Sequence, residues 1–339
     1  MPARPQIVNV DGNFSYELER QRIEAAGADF TVRRARTEAE IVAACADATM
    51  VLFENADTPL TARVIAALPA CCAIIRYGVG VDSIDLAAAT VHRVIVANSA
   101  DFCTEEVSDH AVALILASAR RIAFFDRAIR AGGWHGFNPG SPLRRVNCLT
   151  LGLIGWGRIA QAVARKMSGF QMRILVSDPY VRSLPPGFPG ELVAKEVLLR
   201  ESDLLSLHLP LNAETRHLVD AQALQLVKPS AILINTSRGG IVDEAALVEA
   251  LQQNRLAGAA LDVFEVEPLP TGSVLRTLEQ VTLTPHYAAS SQDSMRHLHG
   301  TVTDSVEALL KGFWPPFPVN AAVVPRVALR PWRDFRPGQ

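Results

Sequence analysis

Three polar side chains follow apolar segments of the kind that form buried strands. Arg238 comes after ILIN and before two glycines, His286 comes after VTLT and Pro285, and Glu267 stands in DVFEVEP. A histidine can exchange a proton near neutral pH, and the planar fork of an arginine suits a carboxylate or polarises a carbonyl oxygen. A glutamate bonded to the imidazole would favour its protonated form and fix its tautomer. These residue types could bind an organic acid and move a proton at one of its oxygens.

Each of the three side chains also has a plain structural explanation. Arg238 could pair with Asp243 or Glu244 at the start of the next helix, with a flexible backbone in the two glycines between them. A lone loop histidine is more often a surface residue, and loop carboxylates such as Glu265 and Glu267 are usually solvated. Spacing alone therefore assigns none of them a function.

A glycine turn lies between an apolar strand pattern and a helical pattern in LGLIGWGRIA, Leu151–Ala160. Gly155 permits a sharp turn, and Gly157 would let a pyrophosphate approach the backbone at the positive end of the helix. Asp178 ends the next apolar strand, 23 residues after Gly155, where it would bond the hydroxyls of a ribose. The pattern predicts a dinucleotide site; the alternative is a strand–helix–strand unit whose glycines serve only packing.

Asp178 also bears on which dinucleotide would bind. Its carboxylate would repel a ribose 2′-phosphate, and the next residue is Pro179 rather than an arginine, so NAD is predicted rather than NADP. Asp262, at the end of AGAALD, could accept a hydrogen bond from a nicotinamide carboxamide or simply cap the following turn. Trp156, inside the glycine turn, could pack over the cofactor entrance or against a neighbouring subunit.

Strand and helix patterns alternate over the first hundred residues and again from about residue 147 to 285. Such alternation predicts parallel sheets covered by helices on both faces, with ligands at the carboxyl ends of the strands. A helical pattern from Ser290 to Leu310, followed by GFWPPFPV, predicts that the chain returns to its first domain. In that domain Gly78-Val79-Gly80 follows AIIRY, and its amides could hold a small carboxylate or form a plain turn.

The helical pattern Thr104–Arg121 bears on assembly. It has acids in its first turn and arginines in its last, as the helix dipole prefers. Its middle, Ala111–Ala117, is apolar on every side, which predicts burial all round. Burial between two domains or two subunits would satisfy this, so a dimer is expected.

Composition excludes several classes of function. Lysine plus arginine number 33 and aspartate plus glutamate 35, so the net charge of −2 argues against a nucleic-acid or membrane-surface partner. The sequence shows neither a membrane-span pattern nor a signal-peptide pattern. Its five cysteines lack CxxC spacing, which predicts reduced thiols and a cytoplasmic location. No metal site is expected, since His297 and His299 point to different faces of a helix.

Taken together, these segments resemble the D-isomer-specific 2-hydroxyacid dehydrogenase family, in its phosphoglycerate-dehydrogenase and C-terminal-binding-protein-like branch. The resemblance covers roughly residues 50 to 320, in YGVGVDSID, LGLIGWGRIA with VSDPY, HLPLNAETRHLVD, ILINTSRGGIVDEAALVEAL, AALDVFEVEP and TLTPHYAAS. It implies an α/β fold of two Rossmann-like domains with a cleft between them. Residues 102–289 would be the doubly wound NAD-binding domain, residues 1–101 plus 290–325 a discontinuous flavodoxin-like substrate domain, and residues 326–339 a loose C-terminal tail.

The resemblance implies an NAD(H)-dependent oxidoreductase that interconverts a small D-2-hydroxy acid and its 2-keto acid by hydride transfer, and commonly a homodimer. Arg238 would bind the substrate carboxylate and carbonyl oxygen, His286 would be the general acid/base, and Glu267 would support its protonated form. The amides of Val79 and Gly80 would receive the substrate carboxylate, next to His286 and Arg238. The residues expected to hold the cofactor are Gly155, Gly157, Arg158, Ile159, Asp178, Leu209, Pro210, Thr236, Arg238, Asp262 and His286.

Other functions stay open on the sequence. NSADFCTEEVSDHA and ARRIAFFDRAIRAGGWH resemble the C-terminal-binding-protein branch, whose members can act as NAD-sensing interaction proteins. That branch places a tryptophan just after the catalytic histidine, where this chain has Tyr287-Ala288-Ala289, which weakens a regulatory role. Relatives that oxidise phosphite or formate are a third alternative. Arg76 or Arg120 could meet a substrate phosphate or second carboxylate, or be an ordinary ion-pair partner.

Overall fold

The chain folds as two compact units, residues 1–102 with 291–339 and residues 103–290. The computed structural model describes residues 4–134, 143–188 and 190–337. Each unit contains its own parallel sheet flanked by helices, which confirms the predicted α/β class.

The first unit is built on a five-stranded parallel sheet in the order β2-β1-β3-β4-β5. Its strand order reverses between β1 and β3, which is where open sheets of this kind bind ligands. The three strands β3 to β5 are buried along their whole length, as strands covered on both faces are. The elements are β1 (Gln6–Asn9), α1 (Glu17–Ala25), β2 (Asp29–Val32), α2 (Glu38–Ala44), β3 (Met50–Phe53), α3 (Ala62–Ala66), β4 (Ala73–Arg76), α4 (Leu86–Val91), β5 (Ile95–Ala97) and, late in the chain, α11 (Gln292–Leu310).

The second unit contains a seven-stranded parallel sheet in the order β12-β11-β10-β9-β6-β7-β8. The order reverses between β6 and β9, so the glycine turn after β6 lies at the reversal. The elements are α5 (Thr104–Ala119), α6 (Ile122–Arg130), β6 (Thr150–Ile154), α7 (Arg158–Ser168), β7 (Arg173–Ser177), β8 (Gly190–Leu192), α8 (Lys195–Glu201), β9 (Leu204–Leu207), α9 (Ala221–Leu226), β10 (Ile232–Asn235), α10 (Glu244–Gln252), β11 (Gly258–Leu261) and β12 (Val281–Leu283).

Helix α5 is less buried than its sequence predicts. Ala111, Leu114 and Ile115 lie in the apolar core with residues of α7, but Ala113 is exposed. Within a single chain the helix is therefore not buried on every side, and its burial between two subunits stays a prediction. One apolar face is enough to hold the helix on its unit, and the other face remains accessible.

Trp156 lies in neither of the positions suggested from the sequence. It is 7% exposed, and its ring packs against Phe188 with 4.9 Å between ring centroids, inside the core of the second unit. Its amide belongs to the glycine turn, but its indole contributes to packing.

The C-terminal segment 326–339 is not a loose tail over its described part. Phe335 is buried, and its ring lies 5.4 Å from that of Phe313. The backbone amide of Arg330 donates to the carbonyl of Gly312 at 2.9 Å. One buried aromatic side chain thus anchors a segment whose proline- and arginine-rich composition suggested otherwise.

Candidate active site

The functional residues predicted in the second unit follow neighbouring strands of its sheet. Because all seven strands are parallel, their carboxyl ends lie along one edge. The sheet therefore brings the predicted residues to that edge in the order His286 (after β12), Asp262 (β11), Thr236 (β10), Leu209 (β9), Gly155 (β6) and Asp178 (β7).

His286 and Glu267 form a hydrogen-bonded pair. The imidazole Nδ1 lies 2.6 Å from Oε2 of Glu267, whose Oε1 accepts the amide of Phe264 at 3.0 Å. Burial alone would raise the pKa of Glu267, but these two bonds and the charges of His286 and Arg238 hold its pKa below the ordinary value. Glu267 is therefore a carboxylate at neutral pH. With Nδ1 bonded to it, the imidazole Nε2 is the atom that can exchange a proton with a reactant.

The backbone around His286 is held by Asp262. His286 has a φ of 53°, a strained conformation for this residue type, and its amide donates to the carbonyl of Asp262 at 2.7 Å. The fully buried Asp262 carboxylate accepts the next two amides of the chain at 3.0 Å each, and the hydroxyl of Thr284. Asp262 thus caps the turn after β12, whereas the sequence suggested that it could cap the turn that follows Asp262 itself. Its bond to a cofactor stays a prediction.

Arg238 lies in a turn shaped by buried Asn235. The Asn235 amide nitrogen donates to the carbonyl of Arg238 at 2.9 Å, and its oxygen accepts the amide of Ser237 at 3.0 Å. The two acids that could have paired with Arg238 have other partners. Asp243 caps helix α10, and Glu244 accepts a backbone amide of the loop after β11.

Gly239 brings the turn of Arg238 against the loop that carries Glu267. A β carbon on Gly239 would lie 1.9 Å from the carbonyl atoms of Phe264 and 2.4 Å from the amide nitrogen of Glu265. Only glycine permits this approach. The glycines after Arg238 were interpreted as flexible backbone, but Gly239 serves close contact between two loops.

The glycine turn after β6 fits a dinucleotide. Gly155 has a φ of 92°, and a β carbon there would lie 2.3 Å from the carbonyl oxygen of His208. Gly157 is exposed at the start of α7, and a β carbon there would meet no atom of the described residues within 4 Å. The Asp178 carboxylate accepts two backbone amides at 2.9 Å each, one of them from the turn. An open backbone at a helix N-terminus beside a fixed carboxylate suits the phosphates and ribose of such a cofactor.

The remaining residues predicted to hold the cofactor lie around the same turn. Arg158 and Ile159 begin helix α7. The side chain of Leu209 comes within 3.0 Å of the position of a β carbon on Gly155, and Pro210 follows it at the surface. Their contacts with the cofactor stay predictions.

Two buried polar atoms at this edge of the sheet have no hydrogen-bond partner within the described ranges. They are Oγ1 of Thr236 and Nδ1 of His208. Burial lowers the pKa of His208 to about 4, so its ring is neutral at neutral pH. Because unpaired buried polar atoms are costly, a ligand bound at the strand ends would stabilise the protein by supplying the missing bonds.

Three histidines of this region were not assigned a role from the sequence. His208 follows β9 directly, a position from which it could have been found. His110, on α5, lies with its Nε2 3.0 Å from Oγ1 of Thr284. His217 lies with its Nε2 2.6 Å from Oε1 of Glu265. The last two meet their partners through tertiary contacts, which leave no local signal in the sequence.

In the first unit, the turn after β4 holds two backbone amides in a fixed direction. The carbonyl of Gly78 accepts the amide of Ser99 at 3.0 Å, and the carbonyl of Val79 accepts the side-chain amide of Asn98 at 2.7 Å. In a trans peptide the N–H points opposite to the carbonyl. The amides of Val79 and Gly80 therefore point away from the segment of Asn98 and Ser99.

Arg76 holds the turn after β4 through hydrogen bonds from its side chain to backbone carbonyls. It is 8% exposed and donates to the carbonyls of Tyr77 at 2.6 Å and Gly80 at 3.2 Å. Its guanidinium carbon lies 4.9 Å from the centre of the Phe53 ring. The structure thus gives Arg76 a role the sequence did not suggest, since it holds the backbone of the turn.

A family comparison decides which family the chain belongs to. The model described as "D-isomer specific 2-hydroxyacid dehydrogenase, NAD binding domain" matches residues 112–288. The chain belongs to the D-isomer specific 2-hydroxyacid dehydrogenase family. The matched range contains the glycine turn and the histidine, arginine and glutamate described above.

Individual relatives agree with this assignment. The chain is 42% identical over 269 residues to a glyoxylate reductase of Korarchaeum cryptofilum, covering 78% of this chain and 81% of that one. It is 37% identical over 298 residues to a D-3-phosphoglycerate dehydrogenase of Mycobacterium leprae, covering 87% of this chain and 56% of the relative. A D-lactate dehydrogenase from Aquifex aeolicus, solved with NAD and lactic acid, superposes with a TM-score of 0.81 at 26% identity, over 91% of this chain and 96% of that one.

The family defines the reaction class. This chain is an oxidoreductase that interconverts 2-hydroxy acids and 2-keto acids with a nicotinamide dinucleotide cofactor, as the sequence predicted. Within the part of the chain that the structure describes, no helix is both long enough and apolar enough to span a membrane.

Proposed function

We propose that this 2-hydroxyacid dehydrogenase reduces a small 2-keto acid, such as glyoxylate or hydroxypyruvate, to the D-2-hydroxy acid, with His286 as the general acid. The observation that carries the proposal is the 2.6 Å bond between His286 and Glu267, next to the turn of Arg238 at the strand ends. The similarity to a named glyoxylate reductase supports a small substrate.

The roles of the side chains follow from their chemistry. When bound, the nicotinamide cofactor supplies the hydride for reduction. His286 donates its Nε2 proton to the carbonyl oxygen of the substrate, and the Glu267 carboxylate favours the imidazolium that does so. Arg238 binds the substrate carboxylate and stabilises the negative charge that develops on the carbonyl oxygen. In oxidation, His286 accepts the proton from the hydroxyl group.

We propose that the amides of Val79 and Gly80 also bind the substrate carboxylate. The support is the fixed orientation of these two amides. Hydrogen bonds from Ser99 and Asn98 hold the carbonyls that belong to the same two peptide groups. Such pairs of oriented amides bind small anions well.

NAD is the proposed cofactor rather than NADP. The Asp178 carboxylate is fixed beside the glycine turn by two amides, and it would repel a 2′-phosphate. The expected ligands are the residues gathered around that turn and the strand ends, namely Gly155, Gly157, Arg158, Ile159, Asp178, Leu209, Pro210, Thr236, Arg238, Asp262 and His286.

A panel of 2-keto acids, followed by NADH absorbance with NADPH as control, tests the proposal. We expect turnover of glyoxylate or hydroxypyruvate with NADH and much slower turnover with NADPH. His286→Ala and Arg238→Ala should each lose most of the turnover. Wild-type rates in both variants would refute the assigned roles. Tight NADH binding by the wild-type protein, without turnover of any keto acid, would favour an NAD-sensing interaction protein.

We further propose a cytoplasmic homodimer. Helix α6 has no buried residue, and it leaves Ile122 57% and Ile129 49% exposed. An apolar helix surface of this kind is typical of a face that a second copy covers. Burial also raises the pKa of Cys45 and Cys71 to about 12, which suits thiols that stay reduced.

A further inference from the structure

His217 joins the two loops that carry the proposed catalytic side chains. Its backbone amide donates to the carbonyl of Gly240, two residues after Arg238, at 2.8 Å. Its Nε2 lies 2.6 Å from Oε1 of Glu265, two residues before Glu267. One residue therefore bridges the Arg238 loop with its backbone and the Glu267 loop with its side chain.

The bridged loops already touch, so small shifts would be transmitted between them. The backbone of Gly239 packs on the peptide between Phe264 and Glu265. The amide of Glu265 donates to Oε2 of Glu244 on α10 at 3.2 Å, and the amide of Phe264 donates to Glu267. The Glu265 side chain gives this loop a further point of attachment, because His217 binds it.

The backbone of His217 has the same strained conformation as that of His286. Its φ is 52°, in the left-handed region that only glycine adopts without cost. This conformation lets the residue present its amide to Gly240 and its ring to Glu265.

We propose that the pair His217–Glu265 positions the carboxylate of Glu267 against His286 and fixes the distance between Glu267 and Arg238. We call this pair the clamp. The inference rests on the catalytic roles proposed above. His217 contacts Glu265 and Gly240 rather than the reacting atoms, so it is a positioning residue. Because the bond between Glu267 and His286 is short, a displacement of about 1 Å in the loop would break it and cost rate.

Four variants separate the clamp from a general effect on folding. His217→Leu and Glu265→Ala remove the bond. In His217→Gln the side-chain amide nitrogen can take the place of the imidazole Nε2 as a donor to Glu265. In Glu265→Gln the side-chain oxygen remains an acceptor for His217. His92→Leu is the matched control, because His92 is an exposed histidine after α4 in the first unit.

Kinetics of glyoxylate reduction provide the first readout. We expect His217→Leu and Glu265→Ala to lower kcat about tenfold, with the loss of rate at high pH beginning at a lower pH because Glu267 no longer supports the imidazolium. The double variant should be no slower than either single variant. His217→Gln, Glu265→Gln and His92→Leu should keep the wild-type rate and pH profile. A wild-type profile in His217→Leu would overturn the clamp.

Amide hydrogen exchange in peptides that cover residues 262–268 provides a readout independent of turnover. Exchange should be faster in His217→Leu than in wild type, and unchanged in His217→Gln and His92→Leu. Unchanged exchange in His217→Leu would overturn the clamp whatever the kinetics show. Failure of the proposed function has a different signature, since wild-type protein would then turn over no keto acid while the exchange difference persisted.

Discussion

In the proposed mechanism, proton transfer depends on the carboxylate of Glu267 and the imidazole of His286. Glu267 is kept ionised by its bonds to His286 and to the amide of Phe264, and His286 is aimed by the Asp262 network beneath it. The charge of Glu267 can be tested by a substitution that replaces one carboxylate oxygen with an amide nitrogen.

Glu267→Gln keeps the shape of the side chain and removes its charge. We expect the rate of keto-acid reduction to fall by about 10- to 100-fold at neutral pH, because the amide no longer favours the imidazolium. The high-pH decline of the rate should begin at lower pH, measured by NADH consumption across a pH series. A variant with the wild-type pH profile would show that Glu267 does not support His286.

His208 should make stability fall as the pH falls. Its pKa is about 4 in the folded protein against an ordinary value of 6.5. Below 6.5 the unfolded chain binds a proton that the folded chain does not bind until about pH 4, so the free energy of unfolding decreases across this window, by up to about 3 kcal/mol.

His208→Gln removes that contribution. Urea unfolding of both proteins at about pH 7 and about pH 5 should show a smaller loss of stability in the variant than in wild type. Equal losses would contradict a buried, neutral imidazole at this position.

At the scale of elements, the sequence predicted what local patterns encode. Most strands of both sheets are apolar runs bounded by turns, so their existence and their places along the chain followed directly, and with them the positions of Arg238 and His286 at strand ends. Strand β8 escaped because it is a three-residue edge strand with a charged residue at its centre. The contact between His217 and Glu265 escaped because 48 residues separate the partners.

The two glycines of the turn after β6 should respond differently to substitution. Gly155→Ala places a β carbon against the carbonyl of His208 at positive φ, and should destabilise the fold by roughly 2–4 kcal/mol. Gly157→Val meets open space, so it should cost at most about 1 kcal/mol at a helix N-cap. Its side chain would occupy the phosphate position, and NADH affinity should fall at least about tenfold.

Thermal unfolding and NADH fluorescence titration check this pair. A wild-type midpoint in Gly155→Ala would contradict the close approach. Wild-type NADH affinity in Gly157→Val would show that the phosphates bind elsewhere.

For the whole molecule, each unit has a core of its own, and the alternating patterns predicted two such sheets. The burial of Phe335 and the exposure of one side of α5 could not be predicted. The sequence shows which residues are apolar, but it does not show which surface each of them packs against. We propose that the exposed apolar residues Ile122 and Ile129 of α6 form the contact of the homodimer.

Charges on that surface should prevent dimer formation. The double variant Ile122→Glu and Ile129→Glu would place carboxylates in the proposed interface, at a cost large enough to yield monomers. Light scattering during size exclusion should give the mass of two chains for wild type and one for the variant. Val91→Glu is the control, since Val91 is 78% exposed on α4 of the first unit. A monomeric wild type would refute the dimer.

The transfer of hydride to the substrate is tested most directly by isotopic labelling. Wild-type protein is incubated with glyoxylate and NADH deuterated on the transferred face of C4, and the product is read by mass spectrometry and NMR. We predict glycolate with one deuterium at C2, and much less of this product from His286→Ala under the same conditions. Glycolate without deuterium, or labelled glycolate formed equally well without the imidazole of His286, would contradict this account.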